Sequence, residues 1–285
     1  MRSFRCCPPT TSKFALRLVT VMTIERSRST SLAQTGNPAP TPSLRSQLES
    51  GPDVLILGIE SASAEVGVAL GGEDGVIASA QSAKDRRHAE NLSPQIKFVC
   101  EQAQIEMAEI GCIAVDIGPG LFTGLRVGLS SAMALAHGLD VPMVGVTSLE
   151  LGAFAARHSE RTILSCYDAR RGEVFSARFA GGTDRVEQLS DARVSTPNEL
   201  AADVASSDEG VLMVGDGGKR YEEIFSPLAN VAFAGAGLWY PSARSLVELA
   251  YQRASRGETV AAADIEPMYL RLPDAEINWK TRDGR

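Results

Sequence analysis

The first ordered signal in the chain is the apolar run Val54 to Ile59, the pattern of a strand buried on both faces, followed by turn residues Glu60 to Ser63. Val66 to Leu70, the pair Gly71 and Gly72, and Val76 to Ala78 then predict a three-strand antiparallel meander. Over 89–106 the apolar positions Leu92, Ile96, Val99, Cys100 and Ala103 recur at helical spacing, with Pro94 expected in the first turn, where proline is tolerated. A strand at Cys112 to Val115, a glycine-rich turn, a helix to about residue 139 and a strand at Met143 to Val146 complete an alternation that predicts α/β architecture.

The second half follows the same order. Thr162 to Tyr167 predicts a strand, Asp168 to Gly172 a turn and Glu173 to Ala180 a second strand. A helix near 197–205, a strand at Val211 to Val214, a helix after Gly218 and a helix from about Ser242 to Arg256 follow. Strand, polar turn, strand therefore occurs twice, which predicts duplicated lobes of βββαβα type. The expected organisation is a disordered extension over 1–52, a first lobe over 53–155 with a C-terminal helical segment 242–271 packing back on it, a second lobe over 156–241, and a flexible tail over 272–285.

Composition changes the picture at the N-terminus. The first fifty residues carry seven Lys or Arg against two acids, so a basic segment precedes a body of net charge −12, for a total of −7. An acidic body does not grip nucleic acid alone, because affinity for phosphates comes mainly from clustered Lys and Arg. The basic segment is rich in Ser, Thr and Pro, and reads as a disordered extension or as translation begun upstream of a true start such as Met22, with a targeting segment as the alternative. No run approaches the length needed to span a bilayer. The five cysteines, at 6, 7, 100, 112 and 166, form no Cys-x-x-Cys pair, a reduced cytoplasmic pattern in which Cys100 and Cys112 act as small core residues. Histidines 88, 137 and 158 are isolated in sequence and make no local zinc motif.

Two motifs stand out. The first, from Asp116 to Gly128, places Gly118 and Gly120 around Pro119, between a strand and a helix, where backbone amides at a helix start suit an anion. It lacks the Gly-Lys-Ser/Thr of a Walker loop and the spacing of a dinucleotide fingerprint. Gly124, Gly128, Ala132 and Ala136 recur every four residues, a ridge of small side chains that admits a closely packed helix, either of this chain or of a partner. The second motif is the charged turn Asp168, Arg170, Gly172 and Glu173, at the position mirroring Glu60 and Ser61.

Taken together, the Ile56 to Ala62 hairpin start, the segment Arg87 to Leu92, the element Gly118 to Gly128 and the element Asp168 to Phe175 resemble the TsaB family, from about residue 53 to Tyr269, Leu270 and Arg271. The resemblance implies a two-lobed fold of the actin, sugar kinase and Hsp70 type and pairing with a TsaD-like transferase. It further implies a TsaE-like ATPase and a tRNA reached only through the complex, where threonylcarbamoyl is placed on the adenosine beside the anticodon. TsaD proteins carry a His-x-x-x-His metal site after the strand that here is Met143 to Val146; Ser148 and Gly152 stand at the ligand positions, and Ala64 stands where the TsaD-like turn has an acid. The expectation is a non-catalytic scaffold with no catalytic residue and no metal, a homodimer in isolation, and no membrane partner. Its interface draws on Gly120, Phe122, Thr123, Gly124, Arg126, Val127, Gly128, Ser131 and Ala132, with neighbours from the helix near 89–103. The alternative is an autonomous nucleotide-binding or hydrolysing enzyme, or a residual acyltransferase, using Glu60, Ser61, Gly215, Asp216 and Gly217 around phosphates. No cofactor is expected on this subunit alone, with ADP or ATP at the subunit junction. His88 is read as a surface or helix-start residue.

Overall fold

The computed structural model describes residues 54–83 and 88–271. The expected N-terminal extension, the C-terminal tail after Arg271 and residues 84–87 of the Arg87 to Leu92 motif lie outside the described residues.

Two five-strand paths repeat one topology. Strands β1 (Ile56–Glu60), β2 (Val66–Gly72), β3 (Gly75–Ser82), β4 (Cys112–Asp116) and β5 (Met143–Val146) lie in the order β3-β2-β1-β4-β5. In the second sheet, β6 (Thr162–Arg170), β7 (Glu173–Ala180), β8 (Glu187–Gln188), β10 (Val211–Val214) and β11 (Val231–Phe233) run β8-β7-β6-β10-β11, and β9 (Arg193–Ser195) pairs with β7. In each sheet the first hairpin is antiparallel and the later strands are parallel. The duplicated two-lobed arrangement expected from the sequence is thus present.

Helices cover the sheets in layers. Helix α1 (His88–Ala103) and α2 (Phe122–Leu139) pack on the face of the first sheet that carries Leu57, Ile59, Val68 and Val115. The opposite face, with Ile56, Ala69, Ala114 and Val146, is covered by α7 (Ala243–Ser255). In the second sheet Leu164, Cys166 and Met213 meet α4 (Pro197–Ala205) and the short helices α5 (Asp216–Arg220) and α6 (Glu222–Phe225). Burial pushes the Cys112 thiol up to about 12, which fits a core residue and not a nucleophile.

Helix α3 (Ser148–Ala155) joins the two halves. Leu151 and Phe154 belong to the core under α7, whereas Leu149 and Ala153 belong to the core of the second sheet. A helix buried on opposite sides has no polar face, and its apolar pattern has no helical period. Its first turn is capped by Thr147, whose side chain accepts from the Glu150 amide. At its far side Arg253 of α7 donates to both carboxylate oxygens of Glu150, at 2.6 and 2.8 Å.

One expected detail changes. The described part of helix α1 runs from His88, so Pro94 lies beyond its first turn, inside the helix. His88 is buried, with Nε2 3.0 Å from the Ser63 carbonyl oxygen. Among the described residues no helix is long and apolar enough to cross a membrane.

Candidate functional site

The ends of β1, β4, β6 and β10 converge between the lobes, and the turns that follow them carry the motif residues. Glu60, at the end of β1, is buried and accepts from the amide and hydroxyl of Ser63 at 3.1 and 3.4 Å. Asp116, at the end of β4, accepts from the Gly118 amide at 2.7 Å and from the Ser148 hydroxyl at 2.7 and 2.9 Å. Burial raises both carboxyls, Asp116 to about 7 despite those donors, and Glu60 further stands against the Asp116 charge. Tyr167 on β6 is raised by burial, with the Asp116 and Asp216 charges adding to it.

Ser148 and Gly152 lie one turn apart on α3, as a two-histidine ligand pair would require. Ser148 is engaged with Asp116, and a Cβ at Gly152 would overlap the Tyr167 hydroxyl. The residues present therefore do not fit a metal: one supplies a hydroxyl already bonded to a carboxylate, and the other has no room for an imidazole.

The candidate nucleotide residues come together but meet one another. Asp216 Oδ1 accepts the Asp168 amide at 3.0 Å, and burial lifts Asp216 to about 6. A Cβ at Gly215 or Gly217 would run into the Cys166 backbone carbonyl, so these glycines allow β10 and α5 to approach β6 closely. The Leu121 amide donates to the Ala62 carbonyl at 2.7 Å, drawing the Gly-Pro-Gly loop onto the β1–β2 turn. The space left among Ala62 to Ala64, Tyr167, Asp168 and Asp216 is a cavity of about 20 Å³, against roughly 300–1,000 Å³ for small-molecule sites.

The small-residue ridge requires a correction. Gly124, Gly128, Ala132 and Ala136 are buried in the chain's own core, facing β1 and the turn after it. A Cβ at Gly124 would overlap the Ser61 carbonyl oxygen, and one at Gly128 the Ser61 hydroxyl oxygen. The close neighbour that the ridge admits is therefore internal. Of the other interface candidates, Phe122, Thr123 and Arg126 are exposed, while Gly120, Val127 and Ser131 are half-buried. On α1 Phe98 is 47% exposed, the most exposed large apolar residue of the two helices, and Ile96, Cys100, Ile105, Met107 and Leu135 line a hollow of about 570 Å³. Phe98 lies off the stripe that helical spacing picks out on α1, and an aromatic off that stripe is its signal in the sequence.

The charged turn is built from Asp168, which pairs with Arg170 at 2.9 Å and lies 3.6 Å from Arg220. Glu173 pairs with Arg271 at 2.8 Å, tying the C-terminal segment to the second lobe. His88 is not a surface residue: it is buried against Ser63 and Gly124.

The model of the family described as TsaD, tRNA N6-adenosine threonylcarbamoyltransferase, matches residues 75–279. The tRNA threonylcarbamoyladenosine biosynthesis protein TsaB of Bacillus subtilis is 31% identical over 234 residues, covering 79% of this chain and 98% of that protein. Its Escherichia coli counterpart is 28% identical over 233 residues, covering 81% and 99%. YeaZ from Pseudomonas aeruginosa superposes with a TM-score of 0.67 at 26% identity, covering 76% of this chain and 99% of that structure. The match over well over half the chain, and over nearly the whole of its TsaB relatives, makes this chain a member of the TsaB family, within the wider TsaD-like family.

Proposed function

We propose that the chain serves tRNA threonylcarbamoyladenosine biosynthesis as a non-catalytic subunit, presenting the outer face of α1 and α2 to a TsaD-like transferase that works with a TsaE-like ATPase. The observation that carries this reading is the fate of the two ligand positions on α3: Ser148 bonds Asp116, and the Tyr167 hydroxyl occupies the space beside Gly152. Without imidazoles there, the chain has no means at that place to hold a metal that would polarise an acyl group.

The apolar hollow between α1 and α2, together with Phe98 exposed elsewhere on α1, supplies surface that gains by being covered. Absent the transferase, the same face pairs with a second copy. The cavity of about 20 Å³ beside Ser63 and Asp216 supports a subunit that holds no nucleotide by itself, with ADP or ATP at the junction with the partner.

Phe98→Asp tests the interface. Phe98 is about half exposed, so the change should alter stability by no more than ~0.5 kcal/mol while abolishing capture of the TsaD-like subunit and depleting threonylcarbamoyladenosine in tRNA hydrolysates. Unchanged capture removes the interface. Purified chain incubated with ATP and divalent metal tests the catalytic alternative: turnover without partners would sink the scaffold reading.

A further inference from the structure

A second hollow, of about 540 Å³, lies outside the closed inter-lobe cavity. The first lobe supplies the loop Pro119 to Phe122 and the start of α2, the second supplies the turn Asp168 to Arg171 and Phe175, and the strap Met268 to Arg271 runs along it. The strap is fastened to both lobes: the Met268 amide donates to the Ile117 carbonyl at 2.7 Å, and Leu270 packs against the core of the second sheet.

Leu121, Phe122, Phe175, Met268, Tyr269 and Leu270 give the hollow an apolar lining. Phe122 and Tyr269 are 40% and 43% exposed, with ring centroids 5.8 Å apart. Three guanidiniums of the lining are engaged within the chain: Arg126 lies 3.7 Å over the Phe122 ring and donates to the Tyr269 hydroxyl, Arg170 pairs with Asp168, and Arg271 pairs with Glu173. Two large rings left this exposed beside one concavity mark surface that another group covers.

The group that covers it is identified by where the chain goes next. Arg271, the last described residue, lines the hollow, and residues 272–285 follow it. Leu272-Pro273-Asp274-Ala275 carries the Pro-Asp pair of a reverse turn, which would send the chain back along the strap. Over the next residues the sequence alternates, with Ala275, Ile277 and Trp279 on one side and Glu276, Asn278 and Lys280 on the other, the pattern of an extended segment that buries one face. Helical spacing would instead set Ile277 opposite Ala275 and Trp279. The match to the TsaD-like family continues to residue 279, so this stretch belongs to the domain and is not an appendage. Because it follows the strap directly, its effective concentration at the hollow is in the millimolar range, and modest contacts suffice to seat it.

We propose that residues 275–279 return over this hollow as an extended latch, with Ile277 and Trp279 seated on the apolar wall that includes Phe122. The walls come from both lobes, so the seated latch holds them together. The tail expected over 272–285 is then confined to the residues after Lys280.

Trp239 and Trp279 are the two tryptophans of the chain, so Trp239→Phe leaves Trp279 as the sole reporter in the full-length protein. Its emission should be blue-shifted, and its quenching by acrylamide slower, than in a synthetic peptide of residues 272–285. Ile277→Asp should lower the docking equilibrium about 10- to 150-fold, the weight of one buried aliphatic side chain, and bring both readings to those of the peptide. Glu276→Gln, on the other side of the alternation, should change neither. Phe122→Asp should release Trp279 from the opposite wall; Phe122 is exposed, and a retained cooperative melt checks that the fold survives. Should that variant not fold, the contrast between Ile277→Asp and Glu276→Gln decides alone. Peptide-like emission before any latch substitution overturns the proposal, as does shielding that persists in a folded Phe122→Asp variant or responds equally to Ile277→Asp and Glu276→Gln. Shielding that disappears on dilution assigns the hollow to a second copy, and shielding that appears only with the TsaD-like subunit assigns the segment to that partner; either result also overturns the intramolecular latch.

Discussion

Replacing Gly128 by alanine gives the sharpest test of how α2 is seated. In isolation the change should help, since glycine inside a helix costs up to about 1 kcal/mol relative to alanine. In the fold the new Cβ would overlap the Ser61 hydroxyl oxygen, which donates to the Gly124 carbonyl at 2.8 Å. Accommodating it means expelling that hydroxyl from a buried site, and overpacking of this kind costs about 1–3 kcal/mol. Ser61→Ala alone should cost about 0.5–1.5 kcal/mol, the net worth of one hydrogen bond. With the hydroxyl gone, however, the nearest remaining Ser61 atom is its Cβ at 3.4 Å, an ordinary contact. Gly128→Ala should therefore turn from destabilising to neutral or favourable in the Ser61→Ala background, a coupling of about 1–3 kcal/mol in a double-mutant cycle. Gly124→Ala provides the control: its obstacle is the Ser61 backbone carbonyl, which Ser61→Ala leaves in place. Urea midpoints and slopes of the four variants and the Gly124→Ala pair measure the cycle. A Gly128→Ala penalty that is the same in both backgrounds would refute the reasoning, and partner capture lost with stability intact would return the ridge to the interface.

Two further outcomes follow from the buried carboxyls. Asp116 has its pKa raised to about 7, so between its unfolded value of about 4 and that point the folded state holds a proton the unfolded state has lost. Stability from this group is thus present at low pH and lost as pH rises from 4 to 7, with a limiting slope of about 1.4 kcal/mol per pH unit; wild type should lose stability relative to Asp116→Asn between pH 5 and 8, and parallel curves would contradict this. Glu60→Gln keeps an acceptor for the Ser63 amide and removes a buried carboxyl that burial and the Asp116 charge hold well above its ordinary pKa, so it should raise the urea midpoint at alkaline pH; a loss of threonylcarbamoyladenosine at unchanged stability would instead make Glu60 a functional group.

Much of the fold is legible because its strands and long helices carry one clear period each. The continuous apolar run before Glu60, the meander behind it, and the spacing of Leu92, Ile96 and Val99 map directly onto β1 to β3 and α1. Spacing also placed Gly124, Gly128, Ala132 and Ala136 on one face, but a period says only which residues share a face, and the atom that decides the matter is the hydroxyl of Ser61, 63 positions from the Gly124 carbonyl it bonds. Helix α3 was hidden for the opposite reason: Leu149, Leu151, Ala153 and Phe154 are apolar on every side because two cores claim them. The short strands β8 and β11 are set by pairing with β7 and β10, not by any local preference. Tyr269 and Arg271 were noted only as the end of a resemblance, since nothing nearby in sequence announces that they close a groove against Phe122 and Glu173.

The two lobes show how one topology yields a structural turn and an exposed one. Each first hairpin follows the same kind of strand, and each sheet places a parallel neighbour, β4 or β10, that ends in a left-handed glycine, Gly118 or Gly215, before a helix begins. In the first lobe that helix is the 18-residue α2, whose glycines let it settle on the turn; Glu60 and Ser61 are buried beneath it at 1% and 2% exposure. In the second lobe the corresponding helix, α5, has five residues, and its aspartate spends its carboxylate on the Asp168 amide. Too short to cover the hairpin, it leaves the Arg171 turn at the surface. Helix length, more than any change within the turns, therefore decides which hairpin stabilises the body and which remains open to another molecule.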